Sequence, residues 1–426
     1  MRTRPRDRDV VCDRSRGLFC KIAKDMQRVL ICAGVVLSCW RIIAGPFIPV
    51  DDNFVLANVP ARSTLRNLDR KLVQDRTNLT DPAIAVSLAQ TYLNDQRATG
   101  DGRAAGQAEA CLRPWWNNDE APVPVLFLRA EIKQRNHEFT NALHDLDLVL
   151  AREPDRVEAL VLRTTVCQVL GRYDAARSSA FRLVRVAPSL LAMTTVADLG
   201  SLSGQSESAY AMLKNSLRDS RSTNIQERAW ALSTLGQLAF RAGESSAVEC
   251  SFVRALELVP DDAYALAAYA DYLFETGRPG AVKALLMGRT GHDHLLLRLA
   301  EAEALLGNEP VALAKHLQLL SDGFKLGKLR GIQHGREEAR YLLHLLHLPT
   351  RALQVAIENW RIQKEPADAQ IAIEASVAAG DFRAAESVVE WVRKYRWHTP
   401  TIERLIQNFA APNQISSQSD PANRKM

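Results

Sequence analysis

An all-α fold, a solenoid of stacked helix–turn–helix repeats, is the architecture this sequence predicts, on three observations. Pro154 and Pro188 stand 34 residues apart and close two stretches with the same small-residue pattern, and Gly277 follows Gly243 at the same interval. That period is the length of a helical hairpin repeat. The chain is 47% hydrophobic but only 6% aromatic, so its core is built from Ala and Leu, which favour helix. A hairpin of this size cannot bury its apolar face alone, so successive units must stack into a continuous core. Such surfaces bind partners, and catalysis on them is uncommon.

Four segments are expected along the 426 residues. Residues 1–50 are a basic leader ending in the apolar run from Val29 to Trp40, which is too short for a membrane-spanning helix of about 20 residues. The run fits the apolar core of a secretory signal, flanked by Lys24 and Arg28, with translation starting at Met1 or Met26. Cleavage before Gly45, lipidation at Cys39 and retention as an anchor all remain open. Residues 51–80 read as a linker and a capping helix with a Leu65, Leu68, Leu72 stripe; 81–410 form the solenoid; 411–426, rich in Asn, Gln, Ser and Pro, are expected to be disordered.

Charge sorts the classes of partner. The net charge of +5 resides in the leader, where residues 1–41 hold ten Lys/Arg against four Asp. The rest carries 44 basic and 45 acidic residues and lacks the basic footprint that a phosphate backbone requires, so nucleic acid is set aside. The seven cysteines are dispersed, without the close spacing of a zinc or redox site. Cys111, Cys167 and Cys250, the three beyond the leader, are expected to be buried or half-buried thiols.

Within the repeats, Ala130 and Ala142 fall where two helices must approach to about 8–10 Å, which small side chains allow. The next unit repeats the pattern with Gly171, Tyr173, Ala176 and Pro188. The clearest unit runs from Trp230 to Pro260 through Leu235-Gly236, Gly243, Phe252 and Ala255, and Asp155, Ser189 and Asp261 after the closing prolines are expected to cap the following helices. These residues resemble the tetratricopeptide repeat (TPR) family, in the form of an exported bacterial member, over roughly 81–410 and eight or nine units. The resemblance implies a right-handed superhelix whose concave groove holds peptides or partner proteins. Carried onto the best units, the groove places are Trp230, Ser233, Gln237, Phe240 and Arg241, then Tyr264, Asp271 and Phe274, with Ala267 and Glu275 beside them. The Lys/Asn set by which some members clamp a C-terminal carboxylate is missing. An apolar or aromatic-bearing segment is therefore expected, anchored on the rings and oriented by Gln237, Arg241 and Asp271. The alternative is that the rings only pack between helices.

No catalytic residue, cofactor or metal is expected. Gly100-Asp101-Gly102 with Gly106 follows a helix rather than a strand and reads as an inter-helix turn, not a phosphate cradle. His292-Asp293-His294, His334, His344 and His347 supply imidazoles but no carboxylate or third histidine at helical spacing, so they read as solvated or half-buried. The expected function is a non-catalytic interaction scaffold, periplasmic or membrane-associated, with a protein or peptide partner. An accessory subunit of a membrane enzyme or maturation system is the alternative, and a cryptic hydrolase or transferase the third reading.

Overall fold

The computed structural model describes residues 80–418 except 308, 309, 330 and 333, with side chains to 409. The leader, the linker with its capping helix, and residues 419–426 lie outside the described residues. Among those described there are helices and no strand. They pair as hairpins: α1 (Pro82–Thr99) with α2 (Gly102–Leu112), α3 (Val123–Arg135) with α4 (Phe139–Arg152), and α5 (Val157–Val169) with α6 (Tyr173–Val186). Next come α7 (Leu190–Leu202) with α8 (Ser206–Asp219), α9 (Ile225–Arg241) with α10 (Ser245–Leu258), and α11 (Ala263–Glu275) with α12 (Pro279–Leu286). The last three pairs are α13 (Asp293–Leu306) with α14 (Pro310–Leu329), α15 (Gly335–Arg340) with α16 (Pro349–Ile362), and α17 (Pro366–Ala379) with α18 (Glu386–Lys394). A π-helical stretch, Tyr341–Leu345, continues α15, and α19 (Pro400–Gln418) ends the series, reaching into the segment expected to lack structure.

Each unit follows one local logic. A left-handed residue separates its two helices: Gly100, Gly171, Gly204, Gly243, Gly277, Gly307 and Gly380 in seven units, and His137 (φ 62°) and His347 (φ 54°) in the other two. Glycine has no Cβ to clash in that conformation, whereas a histidine adopts it at a cost of about 1–2 kcal/mol. Ala130, Ala142 and Ala176 are fully buried, as their places at helix crossings require. At the α9–α10 crossing, a Cβ on Gly236 would meet the Phe252 ring at 3.0 Å. The second helices stop just short of Pro154, Pro188 and Pro260, since the residue before a proline is pushed out of the helical region.

Two expected caps move by one residue. Ser189 caps α7 by accepting from Ala192 N, but Asp262 rather than Asp261 caps α11, accepting from Tyr264 N and Ala265 N. Arg156, which has no acceptor to offer, occupies that place before α5, leaving Asp155 to pair with Arg182. Cys111 and Cys167 are buried, and burial pushes the Cys111 thiol up to about 11; Cys250 is exposed, contrary to expectation, because it sits on the outer face of α10.

The coil also closes on itself. Units one to four meet units seven to nine and α19, always six units further along the chain. A Cβ at Gly100 would lie 2.4 Å from Gly291 O, one at Gly171 would lie 2.8 Å from the Trp391 ring, and Gly204 sits against the Tyr395 carbonyl. Lys364 N donates to Val169 O (2.7 Å), Trp397 Nε1 donates to Leu202 O (2.8 Å), and His137 Nδ1 lies 3.0 Å from Gln363 Oε1. One apolar core accordingly runs from Ala85 through Leu202 and resumes at Ala339 to end at Phe409. The turn glycines of the early units thus serve twice: they permit the left-handed turn, and their missing side chains admit the second lap of the coil.

Candidate functional site

Closure turns the expected groove into a half-open cavity of about 2470 Å³ lined from every unit. Of the groove places read from the sequence, Trp230, Gln237, Phe240, Arg241, Tyr264, Asp271 and Phe274 all line it, together with Ala267 and Glu275. Ser233 does not. It is fully buried, its hydroxyl donating to Trp230 O at 2.9 Å, because a side chain that short ends beneath its neighbours. The rings divide between the two roles considered. Phe240 stands edge-on to Tyr272 (5.6 Å) and, like Phe274, packs against a separate apolar cluster of the middle units that includes Leu235, Phe252 and Leu273. Tyr264 is 55% exposed to the cavity, its hydroxyl held by Gln237 at 3.0 Å.

The polar groups expected to orient a partner are already engaged within the chain. Arg241 pairs with Asp198 at 3.3 Å, and Asp198 also accepts from Gln168. Asp271 accepts from Arg298 (2.5 Å) and from Arg340 (2.8 Å). Arg340 also reaches Glu301 (2.5 Å), whose other contact is His344 Nδ1 (2.9 Å), and His344 Nε2 lies 3.2 Å from Glu374. This ladder joins α11, α13, the α15 segment and α17, the first helices of four successive units. Against the burial that would raise them, Arg298 and Arg340 hold the Asp271 carboxyl well below the usual range, and Arg340 and His344 bring Glu301 down to about 2. Burial opposes the charge on His344, but hydrogen bonds to Glu301 and Glu374 outweigh it and raise the imidazolium to about 9.

Two consequences follow from this ladder. A histidine charged at neutral pH has no lone pair to act as a base there. Because its folded value lies above the unfolded 6.5 or so, its contribution to stability is complete below that pH and is lost as pH rises through about 9. The expected NMR titration is a single imidazole with its midpoint near 9 that falls toward the unperturbed value in Glu301→Gln. A midpoint unmoved by that substitution would remove the ladder as the cause.

His344 is half-buried, as read from the sequence, and it has two carboxylate neighbours that helical spacing does not reveal. They come from other helices, at intervals of about one repeat, rather than from its own. His137 meets His334, with ring nitrogens 3.2 Å apart, at the closure; burial first and then the His334 charge lower it to about 4. Both histidines in the left-handed turn position, His137 and His347, line the cavity, as do His292, His294, His334 and His344. Among the described residues no group of three or more His, Cys, Asp or Glu is placed to hold a metal ion. No described helix is long and apolar enough to cross a membrane.

These hairpins, their left-handed turns and their small-residue crossings define a TPR-like all-α solenoid. Solved structures similar to the chain include PilW, described as a widely conserved type IV pilus biogenesis factor (12% identity, 67% of this chain and 98% of that one, TM-score 0.33). Two others are a tetratricopeptide repeat protein from Parabacteroides merdae (13%, 76% and 98%, TM-score 0.31) and yeast Tom70 (10%, 84% and 97%, TM-score 0.33). No family model and no curated protein matches. The class assignment rests on the hairpins of this chain.

Proposed function

We propose that the protein is a non-catalytic scaffold that holds a segment of a partner protein inside its coil. The observation that carries this reading is the cavity of about 2470 Å³, well above the roughly 300–1,000 Å³ that small ligands fill. A small molecule would leave most of the lining unsatisfied, whereas a stretch of polypeptide would reach Trp230, Tyr264 and Phe274 together. Most of the arginines of the lining, and His344, are paired with carboxylates, which favours binding over proton transfer. The basic and apolar leader, outside the described residues, supports export or membrane association in a bacterial envelope.

A photoreactive benzoylphenylalanine placed at Tyr264 tests the reading in cells, with the same group at Glu207 on α8 as the outside control. The expected result is one dominant crosslinked protein from position 264 only, and reduced crosslinking when Phe274→Ser is added. Equal products from both positions, or none, would overturn it. Asp271 is unsuited as a binding probe, because removing it takes the carboxylate from Arg298 and one of the two from Arg340 in the ladder.

A further inference from the structure

We infer that the segment held in the cavity is cationic, a stretch of polypeptide in which Lys or Arg alternates with apolar residues; the inference rests on the scaffold reading above. Among the described residues the lining contains no lysine. Its arginines are occupied: Arg241 by Asp198, Arg298 by Asp271, Arg340 by Asp271 and Glu301, and Arg336 by Glu365 and Asp368. Arg97 and Arg135 share Glu131, and His344 lies between Glu301 and Glu374. Among the described lining arginines, Arg404 alone has no carboxylate; it donates to Thr401.

The carboxylates stand otherwise. Glu227, Glu275 and Asp293 line the cavity with no ion-pair partner among the described residues, while Glu337, also in the lining, feels the charges of Arg336 and Arg298. Glu227 accepts only from Leu191 N and the Ser222 hydroxyl, and Glu275 only from Gln370 and Thr401 N. Asp293 is exposed, at the N-terminal end of α13. An incoming chain therefore meets unpaired carboxylates in the same lining as the rings of Trp230 and Tyr264, which can take a cation as well as apolar side chains. An acidic segment would find the cations already hydrogen-bonded and the free carboxylates repelling it. Complementarity of this kind sets which partner is accepted and how salt affects it.

The test uses the full chain and two fluorescent peptides of equal length, one alternating Lys with Leu and Phe, the other with Glu in place of each Lys, read by anisotropy. The expected result is that the Lys peptide binds roughly tenfold or more tightly than the Glu peptide at low salt, with the preference shrinking as salt is added. Glu275→Gln with Asp293→Asn should weaken the Lys peptide several-fold while helicity and melting stay unchanged, since neither residue is in the ladder. Equal affinity for both peptides, binding of neither, tighter binding of the Glu peptide, or full affinity in the double variant would overturn the proposal. A partner crosslinked at Tyr264 whose bound segment is not basic would leave the scaffold reading standing and refute this one alone.

Discussion

Asp145→Ala is expected to cost about 3–5 kcal/mol of folding stability, among the largest losses available to a single substitution in this chain. Asp145 is fully buried on α4 and accepts two hydrogen bonds from the Arg129 guanidinium, at 2.6 and 2.9 Å, and a third contact from Lys133 at 2.8 Å. Arg129 is itself 1% exposed and donates to the carbonyls of Trp115, Trp116 and Asn118, which ties the loop after α2 to the second hairpin. Alanine would leave a buried guanidinium without its counter-charge, the costly way to break such a pair. Arg129→Met combined with Asp145→Leu should recover part of the loss, because the buried guanidinium goes with its partner and only the Lys133 ammonium loses a carboxylate. Urea denaturation followed by tryptophan fluorescence measures both; a single variant that melts with the wild type would refute the assignment.

The second large effect belongs to the closure. Trp397→Ala should cost about 3–5 kcal/mol, as large-to-small changes at a buried tryptophan do. The ring is 2% exposed, stands edge-on to Trp360 at 6.4 Å, and its Nε1 hydrogen bond holds Leu202 O. Removing it leaves a void and an unsatisfied carbonyl at the meeting of the two laps. Hydrogen exchange should accelerate at the end of α7 and through α18 and the start of α19, while the cores of α9 and α10 stay protected. Uniform acceleration would mean that the closure does not open as a local unit.

Much of the repeat plan was legible in the sequence, for a local reason. The turn glycines, the crossing alanines and the closing prolines each act within a few residues of themselves, so their 34-residue spacing carries the hairpin directly. Seven of the eight groove places also reached the cavity. Ser233 failed on reach rather than on angle, for it shares a sector of α9 with Gln237 and Phe240. The polar ladder was not legible. His344 meets Glu301 and Glu374 across unit boundaries, and only the exact stacking of α13, α15 and α17 brings them together. The closure was harder still, because the offset of six units accumulates from small rotations between neighbours, none of which leaves a motif. The C-terminal concentration of Trp360, Trp391, Tyr395 and Trp397 was the available trace of it.

Open solenoids gain or lose units freely, because each contacts only its neighbours. This one has a fixed gauge. Gly171 finds Trp391, and Leu202 finds Trp397, only if the intervening chain advances by one whole lap. An added or deleted hairpin between them would carry every later unit past its counterpart and set bulky side chains against the bare glycine turns. The same pairings join residues far apart in the chain, 195 positions for Trp397 and Leu202 and more for Gly171 and Trp391, so closure requires both ends of the coil to be in place. The molecule behaves less like a stack that can be lengthened than like a clasp, with one length at which it shuts.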